Sequence, residues 1–217
     1  MNIEFLFPSY SKAERAADAV VHVIGVPLGL IAAVLLVHRA LPHGAVDSFV
    51  VAIYAAGLVG MLGASAAYQL SPPGLLKERL RRLDRAMIFV MIAGTYTPIS
   101  TTVLYGRFGL ALCAVLWCLA GIGIFLTLRY PRKFERATMA LYMAMGWMLL
   151  VLIRYCFSLL VPDVLALIVA GGVAYTIGAV IQGSRLKFHN PLWHVLVLVA
   201  ASLQYAAISL QLTGGVF

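Results

Sequence analysis

Seven apolar runs, each long enough to cross a bilayer, follow one another along this chain with only short breaks between them. A membrane-spanning helix needs about 20 predominantly apolar residues. Runs of that kind lie near 17–38, 47–70, 86–104, 108–128, 138–159, 163–183 and 191–212. The breaks carry turn chemistry: "LPHGAVD", "SPPGLLKERLRRLDR", "YGRFG", "RYPRKFER", "VPD" and "SRLKFHNP". Buried helices of a soluble protein would be the other explanation, and composition excludes it. The chain is 63% apolar and 11% charged, whereas soluble domains hold roughly 45–50% apolar and about 25% charged residues. The expected fold is therefore all-α: a single domain over residues 1–217, built as a seven-transmembrane helix bundle. No internal repeat suggests two matched halves of a transporter.

Basic residues give the expected orientation. Of the 16 Lys and Arg, 13 fall on the side of the N-terminus and 3 on the other when sides alternate from break to break. The positive-inside rule then places the N-terminus in the cytoplasm and the C-terminus outside. The net charge of +8 is read as this topological signal and as attraction to anionic head groups, with membrane lipids as partners and no nucleic acid. The segment "MNIEFLFPSYSKAERAAD" does not read as a cleaved signal peptide. Cys113, Cys118 and Cys156 match no disulfide or zinc spacing and are read as packing residues. Oligomeric state is not legible.

Polar residues inside the runs then become informative. Glu14, Asp18 and His22 stand at i, i+4 and i+8, along one face of the first helix. Ser65 and Gln69 are four apart at the end of the second, with Tyr68 beside them. Asp84 opens the third, and Asn190 and His194 are four apart at the start of the seventh, with Gln204 further along it. Given the orientation, four helices bring these groups to one cytoplasmic-leaflet layer. Head groups nearby would tolerate any one of them, and Asp18 and Asp84 also suit the positive end of a helix dipole. As a set they predict a polar pocket of Asp18, His22, Ser65, Tyr68, Gln69, Asp84, Asn190, His194 and Gln204, because intramembrane ionisable groups face the bundle interior and pair. His38 and His43 are read as solvated, Arg154 as snorkelling, Pro27 and Pro98 as kinks, and Trp117, Trp147 and Trp193 as packing anchors.

The pieces "ERAADAVVHVIG", "SAAYQLSP", "RRLDRAMIFVMIAGTYTP" and "NPLWHVLVL", in that order, resemble the hemolysin III family, the bacterial branch of the progestin and adipoQ receptor superfamily. The chain is more distantly similar to alkaline ceramidases. The resemblance implies a seven-helix protein of the bacterial inner (plasma) membrane. It also implies a zinc ion held by three histidines, one ending S-x3-H on the second helix and two in H-x3-H on the seventh. Zinc with an open position could activate a water, with an aspartate to orient it. This chain has Gln69 and Asn190 at two of those positions, and only His194 matches. Carboxamides are poor zinc ligands beside imidazole.

Two arrangements follow. A metal could be held by His22 and His194 with Asp18 or Asp84. The reading preferred here has no cofactor: a hydrogen-bonded network of the amides, Ser65, Asp84 and both histidines. The functional alternatives are a membrane protein that interacts with lipid, protons or ions in membrane homeostasis, and a zinc-dependent lipid amide or ester hydrolase. In the hydrolase Asp84 would act as base and Ser65 as support, with His22 and His194 stabilising charge. Cytolysis, which the family name implies, finds no amphipathic segment or secretion signal. The homeostatic reading is the expectation taken forward. The charge asymmetry generates a direct test of topology. A reporter fused after Phe217 is expected outside the cytoplasm and one inserted near Gly74 inside it, and the reverse pattern would overturn the assignment.

Overall fold

The computed structural model describes residues 7–104, 106–151 and 160–213. Every regular element among them is helical: α1 (Lys12–Ala40), a short 3-10 turn (Leu41–His43), α2 (Ala45–Leu70), α3 (Leu75–Pro98) with a π-helical continuation (Ile99–Val103), α4 (Gly106–Arg129), α5 (Glu135–Gly146), α6 (Met148–Val151), α7 (Pro162–Gln182) and α8 (His189–Thr213). α1 packs against α2 and α8, α2 against α3, α3 against α4, and α7 against α8. Five helices are long and apolar enough to cross a membrane: Lys12–His43, Ala45–Leu70, Gly106–Arg129, Pro162–Gln182 and His189–Leu212.

Local chemistry explains the starting points. Ser11 and Glu14 form a capping box at the head of α1: Glu14 N–H donates to the Ser11 hydroxyl at 3.2 Å and Ser11 N–H to the Glu14 carboxylate at 2.9 Å. Such a cap contributes about 1 kcal/mol, and it draws the helix start back to Lys12 from the expected 17. α1 is a single helix through Pro27. α3 departs most from expectation, beginning at Leu75 and not near 86. The charged stretch "KERLRRLDR" is helix, not loop. Glu78 there accepts from Arg81 at 3.1 Å and from Arg132 at 2.9 Å, and Arg85 pairs with Glu135. These pairs fasten the charged turns of α3 to the connection between α4 and α5.

The side-chain pattern is inside-out relative to a soluble protein. The buried face of α1 is Asp18, His22, Gly25, Gly29, Ala33, Leu36 and Ala40. Its outward face carries Val23, Leu28, Ile31 and Val34, each more than half exposed. Lipid tails solvate large apolar groups as well as a core does, so small residues are kept for close helix contact. A methyl group at Gly25 would meet Leu198 of α8 at 2.8 Å, and one at Gly29 would collide with Leu62 of α2. The interior divides into two apolar clusters. One joins Phe89, Leu116, Met145 and Val164 from α3, α4, α5 and α7; the other joins Leu36, Tyr54, Leu58 and Leu212 from α1, α2 and α8.

The run expected over 138–159 is broken at Trp147, between α5 and α6, and residues 152–159, with Arg154 and Cys156, lie outside the described residues. A break frees backbone groups that hydrocarbon cannot satisfy. Tyr96 of α3 answers both: its hydroxyl donates to Gly146 C=O at 3.0 Å and accepts from Leu149 N–H at 3.0 Å. Trp147 donates to the Thr176 hydroxyl at 3.0 Å, so it holds α7 as well as filling space. Tyr96→Phe keeps the ring and removes the stitch. It is expected to destabilise the protein by about 1–3 kcal/mol, read as a lowered unfolding temperature in detergent, and an unchanged temperature would mean that the break is satisfied some other way.

Candidate functional site

The site grows from the four-residue spacing at the head of α1. One helical turn separates Asp18 from His22, and His22 Nδ1–H donates to the Asp18 carbonyl at 2.8 Å. Across the interface, His194 near the start of α8 donates Nδ1–H to Asp18 Oδ1 at 2.5 Å. Both partners of these Nδ1 atoms are oxygens that only accept, so each neutral imidazole carries its proton on Nδ1. Both Nε2 atoms then face one hydroxyl, that of Ser65 near the end of α2, at 3.2 Å for His22 and 3.4 Å for His194, and its single proton is donated to one of them at a time. The rings meet edge to face with centroids 4.5 Å apart. Asp18, His22, Ser65 and His194 are all buried. Three helices are thus tied by a four-residue knot.

Just ahead of α1, the ring of Tyr10 lies 5.6 Å from that of His189. Burial, together with neighbouring Tyr68, Asp18 and Glu14, pushes the Tyr10 hydroxyl up to about 12, so it stays a neutral O–H at physiological pH. Glu14 accepts from Phe188 N–H at 3.1 Å and closes the same end of α8.

From the knot a cavity of about 120 Å³ runs into the bundle. His22, Ser65, Asp84 and His194 line its near end. Asp84 is half-buried. Most of the remaining wall is apolar, including Met61, Leu62, Ile88, Met91, Val197 and Leu198, and Trp147, Tyr175 and Gln204 also line it. Along α3 the lining residues run from Asp84 to Tyr96, a rise of about 18 Å on an ideal helix.

The other sequence candidates lie elsewhere. Tyr68 and Gln69 are half-buried and do not line the cavity; their carbonyls cap the end of α2 by accepting from Lys77 Nζ at 2.9 and 3.2 Å. Asn190 is buried, but its Oδ1 accepts from Gln182 Nε2 of α7 at 3.2 Å, and it too is absent from the cavity wall. Gln204 lines the cavity ten residues beyond His194, and so well away from the knot. Sequence reading passed over Lys77, Tyr96, Thr95 and Tyr175. Lys77 had a legible signal, since a lysine shortly after a helix end is a common carbonyl cap. The others looked like ordinary apolar-run residues.

The three-histidine zinc set of the superfamily does not fit this geometry. Two of its positions hold carboxamides, and both side chains stand off the cavity. Asp18, His22 and His194 do offer ligand atoms within 4.8 Å of one another, which makes them a possible metal-binding triad. Two ligands of a tetrahedral zinc with bonds of about 2.0 Å stand about 3.3 Å apart, whereas His194 Nδ1 and Asp18 Oδ1 are at hydrogen-bond distance. As arranged, Asp18 orients the imidazoles.

Comparison with known proteins follows the same lines. The profile of the haemolysin-III related family matches residues 11–205. The chain is 30% identical over 198 residues to "Hemolysin-3" of Bacillus cereus, covering 90% of each. It is 27% identical over 201 residues to the "Hemolysin-3 homolog" of Bacillus subtilis (strain 168), covering 92% of this chain and 94% of that one. The human "Monocyte to macrophage differentiation factor" is 25% identical over 204 residues, covering 90% and 83%. No solved structure matches the chain.

The geometry generates a prediction about metal. Purified protein is expected to hold well under one zinc per chain by elemental analysis, with no loss of thermal stability on chelation. Stoichiometric zinc would overturn the hydrogen-bonded reading and point to His22 and His194 with an aspartate.

Proposed function

The chain belongs to the haemolysin III family, and we propose that it is a seven-span protein of the bacterial inner membrane that holds a single lipid chain without cleaving it, in the service of membrane homeostasis. In this reading the fifth pass includes the α5–α6 segment, and the third is the apolar half of α3. The knot lies in the cytoplasmic leaflet, at the end of the bundle that carries Arg81, Arg82, Arg85 and Arg132. The knot gathers polar groups at one place on a wall that is otherwise mostly apolar, as in a site for an amphiphile.

The observation that carries the proposal is the cavity. Lining residues that span about 18 Å of α3, mostly apolar, with Ser65, Asp84 and two imidazoles at one end, suit part of one acyl chain entering beneath a hydrogen-bonding head. The same cavity serves a transported proton poorly, because its wall includes Met61, Leu62, Met91 and Val197, which offer water no partners. Hydrolysis would need an activated water beside Asp84 and Ser65, and the carboxamides that replace two zinc ligands remove the usual means of making one. Cytolysis, suggested by the printed names of the Bacillus relatives, draws no support from the cavity.

Native mass spectrometry of protein released from gentle detergent tests the proposal. Each chain is expected to carry about one single-chain or acyl-bearing lipid. Ile88→Phe and Ile92→Trp, which fill the slot, are expected to lose it while keeping the helical content. Equal lipid loads in the variants would refute the assignment, and release of free fatty acid from an added amide or ester would establish the hydrolase instead.

A further inference from the structure

Beyond the knot the cavity contains polar atoms with nothing to bond to. Among the described residues, the Tyr175 hydroxyl and Gln204 Oε1 are both buried without a hydrogen-bond partner, and both residues line the cavity. The Tyr54 hydroxyl, on neighbouring α2, is in the same condition. Hydrocarbon surrounds this part of the bundle, so such atoms stay unpaired only at high cost, and a partner inside the cavity is the natural explanation.

The local geometry fixes what the partner must offer. Gln204 Nε2 donates to the Ile168 carbonyl at 3.2 Å. Turning the amide over would set oxygen against oxygen, so the unpaired atom is the acceptor. Gly171 of α7 makes room for this: a methyl group there would stand 2.7 Å from Gln204 Nε2. Tyr175 lies one helical turn beyond Gly171, on the same face of α7, and supplies the donor. Two other polar residues of the cavity wall already have partners. Thr176 accepts from Trp147 and donates to Gly172 C=O, and Thr95 donates to Met91 C=O.

A donor and an acceptor lining one cavity are together complementary to a hydroxyl, which accepts through oxygen and donates its own proton. Resting on the reading of the cavity as a lipid slot, we propose that Tyr175 and Gln204 form a second polar subsite that recognises a hydroxyl carried along the bound chain. The Tyr175 O–H donates to that hydroxyl, and the hydroxyl donates to Gln204 Oε1. Ten residues of α8 separate Gln204 from His194, about 15 Å at 1.5 Å per residue. The ligand class is therefore a single-chain lipid whose head sits at the knot and whose chain bears a hydroxyl about that far along.

Trp147 and Trp193 line the same cavity, so their fluorescence reports occupancy. The full chain in nanodiscs is titrated with stearate and with the same chain bearing a hydroxyl in its distal half. The hydroxylated chain is expected to bind roughly tenfold more tightly, the worth of one net hydrogen bond. Tyr175→Phe and Gln204→Leu are each expected to abolish that preference, so that the ratio of the two affinities falls to about one. Tyr175→Phe removes an unpaired group and should unfold at the same temperature as the parent or higher. Only the parent should gain in melting temperature from the hydroxylated chain over stearate. Equal affinity of the parent for both chains would overturn the subsite and leave the lipid slot standing, with solvent satisfying the two atoms. Binding of neither chain would bring down the lipid reading and the subsite with it.

Discussion

Asp18 directs His22 and His194, and the arrangement of α1, α2 and α8 at one end follows from that. Its carbonyl fixes His22 and its carboxylate fixes His194, so both imidazoles present Nε2 to the Ser65 hydroxyl. A carboxylate inside a membrane is tolerable only with such partners, and the partners in turn lock the rotation of three helices. The same demand for internal pairing explains the Tyr96 stitch at the break between α5 and α6 and the lysine that caps α2. Polar groups here organise the fold because the surrounding solvent offers them nothing.

Small residues supply the complementary half of the design. With no hydrophobic drive between helices in lipid, closeness comes from Gly25 and Gly29 on α1 and Gly171 on α7, and the large aliphatic side chains are turned outward. Gly25 also lines the cavity. The residues that let helices approach are thus the ones that shape the slot between them.

The zinc set expected from the superfamily and the site found here differ in a physically instructive way. Asn190 joins α8 to α7 through Gln182, and Gln69 belongs to the capped end of α2. Amide side chains that cannot compete as metal ligands serve well as paired hydrogen-bonding groups. His194 keeps its position, but its partner is an aspartate on α1. The same aspartate and His22 complete the triad of ligand-type atoms within 4.8 Å of one another.

Run length and composition, properties of the chain read locally, were enough to place this protein in a membrane as an all-helical bundle, and the residues of α1, α2, α3 and α8 were enough to nominate His22, Ser65, Asp84 and His194. The boundaries that failed did so for local reasons that apolar run length ignores: the capping box that extends α1 and the charged turns that extend α3. Partnership was another matter. Each residue turns a side chain by about 100° around a helix, so which of Gln69, Asn190 and Gln204 meets the cavity depends on helix rotation and crossing, which no single run encodes. The bond from Tyr96 to Gly146 spans fifty residues, and the separation of Gln204 from the knot depends on how α7 and α8 pack. Sequence determined the solvent and the cast of polar residues; only the tertiary structure decided who pairs with whom, because pairing is set by the relative phase of helices brought together from distant parts of the chain.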